Sequence, residues 1–94
     1  MLKTAVVQIG NSDNKLTQDE WHNFVEKVHI NIDIWAEKSH FFGGSPNWAR
    51  WQNVSWVFEI EEKNTPALKK ILCNLKEPFK QESIAWLEGD ILFI

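Results

Sequence analysis

Hydrophobic positions along this chain switch between a period of two and a period near 3.6, and each switch predicts an element. Residues 2–9, LKTAVVQI, place Ala5, Val7 and Ile9 on one side and Leu2 and Val6 on the other. Apolar residues on both sides predict an inner strand. Gly10 to Asn14 is a polar turn cluster. Trp21, Phe24, Val25 and Val28 then recur at i, i+3, i+4 and i+7, one apolar stripe of a helix. Thr17 and Glu20 have capping-box spacing, and Leu16 and Trp21 hold the two staple positions. Together they predict a helix over about 18–30.

Residues 31–42 alternate again, with Ile32, Ile34 and Ala36 facing one way and Asp33, Trp35, Glu37, Ser39 and Phe41 the other. They predict a second strand with a half-wet face. Gly43-Gly44-Ser45-Pro46-Asn47 is the strongest loop signal. A third strand is expected over 50–61, with Val54, Trp56, Phe58 and Ile60 inward and Trp51 and Val57 outward. Thr65-Pro66 opens a second helix as cap and first helical residue, with a stripe of Leu68, Ile71, Leu72 and Leu75, and Pro78 stops it. Residues 82–94 read as a hairpin turning at Glu88-Gly89-Asp90.

The order is β-α-β-β-α-β plus a short C-terminal strand. It predicts an α+β fold of ferredoxin-like, split βαβ type, one domain over 1–94, with an antiparallel sheet and two helices on one face. The other face is then bare. By parity it carries Trp35, Trp51, Val57 and Val6. Several aromatic side chains there exceed the apolar patch that monomers usually leave exposed. A homodimer packed sheet to sheet covers it most simply. A fold-back of the Gly43–Ala49 loop or of the C-terminal hairpin is the competing cover.

Composition narrows the function classes. The 94 residues carry 10 basic and 13 acidic side chains, net −3. The one arginine, Arg50, and nine scattered lysines make no phosphate-binding footprint, so no nucleic-acid partner is expected. No apolar run is long enough for a bilayer, so no membrane association is expected. One cysteine and no basic-then-apolar opening suit a reducing cytoplasm.

Candidate chemistry is sparse. His22, Glu26 and His29 share a helix flank at spacings a divalent metal could use. A solvated flank of an amphipathic helix explains them better, and no metal site is assigned. His40 stands before the glycine loop, with Trp48, Arg50 and Trp51 across it, at what would be one sheet end. Histidine titrates near neutrality and could act as a base, but no nucleophile sits at a recognisable spacing. Cys73 reads as a small apolar side chain. Trp35, His40, Trp48, Arg50, Trp51 and Val57 are therefore candidates for ligand or partner binding. None is given a catalytic role, and no cofactor is expected.

In element order the whole chain resembles the dimeric α+β barrel group, whose ferredoxin-like subunits join through their sheets. Some members are cofactor-light monooxygenases, and others bind haem or small ligands. The resemblance rests on no motif, so no catalytic residue is carried over. The leading expectation is a non-enzymatic binding protein that forms a homodimer through its aromatic sheet face, with a protein or small molecule as partner. The alternatives are a barrel-type enzyme or small-ligand carrier with an aromatic pocket, and an inhibitor or immunity-type protein capping a basic partner.

Overall fold

The computed structural model describes residues 1–11, 13–46 and 51–94. The elements are β1 (Leu2–Gly10), α1 (Gln18–Trp35), β2 (Lys38–Gly44), β3 (Asn53–Glu61), α2 (Thr65–Leu75) and β4 (Ala85–Gly89). The strands lie in the order β2-β3-β1-β4, every neighbouring pair antiparallel.

Alternation puts Ala5, Val7 and Ile9 of β1 and Trp56, Phe58 and Ile60 of β3 on one face, all buried. They form one cluster with Trp21, Phe24, Val28 and Ile32 of α1 and Leu68 and Leu72 of α2. Both helices thus cover the same side of the sheet. α1 begins as the spacing predicts. The Glu20 amide donates to the Thr17 hydroxyl at 3.2 Å, and the Thr17 amide donates to the Glu20 carboxylate at 2.9 Å. Leu16 and Trp21, the staple pair, both bury in the core.

A buried amide ties the sheet to the start of α1. Asn11 is fully buried. Its Nδ2 donates to Leu16 O at 3.1 Å and to Gln52 Oε1 at 3.0 Å, and its Oδ1 accepts from Leu16 N at 3.0 Å. Its own backbone N–H donates to Gln52 O at 2.8 Å. What reads as a plain polar turn is the joint between β1, α1 and the approach to β3.

Three expectations are corrected. α1 does not end near residue 30 but runs to Trp35, and β2 starts only at Lys38. Ile32 and Trp35 follow Val28 at i+4 and i+7, so they continue the helical stripe as well as an alternation. Packing decides, because Ile32 buries in the core while Ile34 is left exposed. Next, the cap of α2 is Asn64, preceded by a 3-10 turn at Glu62–Asn64. Thr65 is the first helical residue and Pro66 the second.

Finally, there is no C-terminal hairpin. β4 pairs with β1 alone, and residues 90–94 form no strand. No glycine has a positive φ, so Gly89 makes no tight primed turn. The chain leaves β4 and lies over the helix-free face instead. There Ile91 finds the apolar neighbours Val6 and Val57, which a hairpin arm outside the sheet edge would lack.

Candidate functional site

The helix-free face is organised by strand register. Phe41 pairs with Val57, Val57 with Val6, and Val6 with Leu87. One apolar row therefore crosses all four strands. Phe41 is 52% and Leu87 68% exposed, and Val6 and Val57 are half-buried between them. The rung on one side is small and polar: Gly43, Ser55, Gln8 and Ala85. There the Gln8 amide donates to the Ser55 hydroxyl at 3.1 Å. The rung on the other side holds Lys38, Glu59, Thr4 and Gly89.

His40 reaches that rung through a bulge. The register shifts between Ser39 and Phe41, which leaves His40 as the extra residue of β2. Its Nε2 lies 3.3 Å from Glu59 Oε2. The approach misses hydrogen-bond geometry, so Nε2 is buried without a hydrogen-bond partner among the described residues. The ring of Phe93, from the C-terminal segment, lies 6.2 Å from the His40 ring.

That segment crosses the face without sealing it. Ile91 lines a shallow cavity of about 310 Å³ with Thr4, Val6, Val57 and Leu87. Leu92 remains 82% and Phe93 75% exposed, and Ile94 is fully exposed.

The sequence-predicted candidates are dispersed. Val57 lies in the apolar row, and His40 is on the neighbouring rung. Trp35 is not on this face. It sits at the C-terminal end of α1, half-buried against the core, because residues 31–35 are helical. Trp51 precedes β3 and is 54% exposed. It lines a second cavity of about 310 Å³ at the sheet end with Gln8, Gln52, Asn53 and Ser83. Trp48 and Arg50 lie outside the described residues. Phe41 and Leu87, which complete the row, were visible in sequence only as apolar residues of their strands. Their alignment depends on long-range register.

The possible metal flank does not converge. His22 Nε2 faces Glu26 at 3.6 Å, while His29 Nδ1 accepts a hydrogen bond from Trp56 Nε1 at 3.0 Å. Among the described residues no three His, Cys, Asp or Glu side chains gather to hold a metal ion. Cys73 is exposed on α2, beside a cleft of about 190 Å³ shared with Lys69, Lys76 and Trp86 of the β4 edge. Across that cleft Lys69 Nζ pairs with Glu88 Oε1 at 3.0 Å. This ammonium, followed by the Trp86 indole N–H, holds the Glu88 carboxyl below its ordinary value. No helix among the described residues is long and apolar enough to cross a membrane.

No protein-family profile matches the chain, and no curated protein matches it in sequence. Solved structures do. A dimeric ferredoxin-like protein of unknown function from Thermobifida fusca YX aligns with a TM-score of 0.53 at 10% identity, over 96% of this chain and 92% of that one. A dimeric ferredoxin-like protein from an uncultured marine organism aligns with a TM-score of 0.45 at 17% identity, over 99% and 90%. The strand order, the shared helical face and the first of these alignments lead to one conclusion: the chain has a ferredoxin-like α+β fold, four antiparallel strands carrying two helices on one face.

Proposed function

We propose that this is a small, non-enzymatic binding protein that works as a homodimer joined through the open face of its sheet. The apolar row Phe41–Val57–Val6–Leu87 carries the reading. An apolar centre flanked by polar rungs has the anatomy of a protein interface. A two-fold interface needs a self-complementary patch, and a row running across the middle of a sheet can meet its own copy. The molecule is a slab of 38 × 31 × 19 Å with helices on one side only. Its broad face is ample for the ~800 Å² per partner of a standard interface. The Thermobifida protein of similar fold is itself described as dimeric.

Ligand binding then falls to the cavity at the sheet end. Among the described residues its lining has no charged side chain. It combines the exposed Trp51 ring with the amides of Gln8 and Asn53 and the Ser83 hydroxyl. Such a lining suits a small uncharged molecule with donors and acceptors on its rim. His40 is turned to Glu59 instead and does not line this cavity.

Light scattering on a sizing column tests the assembly. Twice the 11.0 kDa subunit, near 22 kDa, is expected. Val57→Asp, a charge in the centre of the row, should return the mass to that of the monomer with the circular dichroism unchanged. A wild-type chain that elutes as a monomer at micromolar concentration would overturn the dimer.

A further inference from the structure

Resting on the dimer just proposed, we infer that the C-terminal segment is part of the interface, with Leu92 and Ile94 of each copy seated on the open face of the other. The apolar side chains that the segment leaves uncovered carry this. Ile91 lies down on the chain's own face beside Val6 and Val57, and the Phe93 ring comes within 6.2 Å of His40. Even so, Phe93 stays 75% exposed, and Leu92 and the terminal Ile94 have no apolar neighbour of their own among the described residues, 82% and fully exposed. A segment whose task was to seal its own sheet would bury its apolar side chains. This one adds a second apolar layer above the row and leaves Phe41 and Leu87 uncovered at the row's two ends. Its backbone is equally unspent, since no residue from 91 to 94 takes part in a backbone hydrogen bond among the described residues.

The occupant that fits is a second copy of this chain. The segment crosses the same face that holds the row, so two copies meeting face to face bring each segment against the other's row. Two-fold symmetry makes that contact twice. Leu92 and Ile94 then enter apolar surroundings on the second copy, and the exposed ends of its row are covered in return.

Leu92→Asp/Ile94→Asp tests this directly, because both side chains are solvent-exposed in the isolated subunit and fold formation does not depend on them. The dimer dissociation constant, read from a light-scattering dilution series, should rise at least ~100-fold, with the circular dichroism and monomer melting unchanged. Should the aspartates disturb folding, Leu92→Ser/Ile94→Ser reads the same contact with less force. An unaltered dissociation constant overturns the inference. So does a tighter dimer on Ile91→Ser, which would mark the segment as a cover competing with the second copy. Loss of the dimer in Leu92→Asp/Ile94→Asp but not in Val57→Asp keeps the segment contact and removes the row. A monomeric wild-type chain removes both.

Discussion

Trp56 and His29 are joined by a 3.0 Å hydrogen bond from the indole Nε1–H to the imidazole Nδ1, across the boundary between β3 and α1. An acceptor at Nδ1 places the neutral ring's proton on Nε2. Phe42 stacks on both partners, at 4.4 Å from the His29 ring and 5.3 Å from the Trp56 ring. Trp56 is 1% exposed, so His29→Ala leaves its N–H unpaired in the core. The expected cost is about 1–3 kcal/mol. Each kcal/mol lowers Tm by roughly 4–8 °C in a domain of this size. A variant that melts with the wild type would show that the bond contributes nothing.

Asn11→Ala should cost more than its place in a polar turn sequence suggests. It strips partners from both the N–H and the C=O of Leu16 and from the Gln52 side chain. About 2–3 kcal/mol is expected, since the Leu16 groups are buried. Urea titration checks it: the midpoint should fall while the slope stays constant.

Gly44 is required by contact rather than by dihedral angle. A Cβ there would sit 1.9 Å from the carbonyl oxygen of Asn53, a backbone atom that cannot step aside. Gly44→Ala should therefore force β2 off β3 locally and destabilise by about 1–3 kcal/mol. Gly89→Ala is its control, because a Cβ at Gly89 meets nothing within 4 Å. Equal melting temperatures for the two variants would contradict the close approach.

Acid should weaken the fold through two carboxylates. The Thr17 backbone N–H, then its hydroxyl, and lastly Lys80 hold Glu20 below its ordinary 4.5. Lys69 and Trp86 do the same for Glu88. A carboxyl with a lowered folded pKa binds its proton more tightly when unfolded. Its stabilisation is thus complete above about pH 4.5 and is lost as the pH falls through the folded value. Glu20→Gln/Glu88→Gln should flatten the dependence of Tm on pH in that acid range. Both groups lie at the surface, so salt should reduce the wild-type dependence. A double variant with the wild-type acid slope would assign the effect elsewhere.

Legibility in sequence followed the range of the interaction. The capping box and staple of Thr17, Glu20, Leu16 and Trp21 involve neighbours within one turn, and they form as spaced. The inward sets of β1 and β3 were equally plain, because alternation in a strand is local geometry. Val57 followed from the same parity. Trp35 did not, because the stretch from Val28 to Trp35 satisfies both a period of two and a period of 3.6. His40 was recognisable as a histidine near a strand end. The bulge that turns it toward Glu59 was not, since a bulge is a relation between two strands.

Sequence alone determined the order of elements as far as β4, the start of α1, the buried sides of β1 and β3, and the presence of one helix-free sheet face. These rest on covalent neighbours and on periodicities that one strand or one turn displays by itself. Tertiary structure decided where α1 ends, that residues 90–94 cross the sheet instead of pairing beside it, and that Phe41, Val57, Val6 and Leu87 fall in one row. Those outcomes depend on competing burial sites and on register between strands far apart in the chain. A one-residue slip would turn each side chain to the opposite face. Only the packed core, with Ile32 inside and Ile34 outside, selects among the alternatives that local pattern leaves equal.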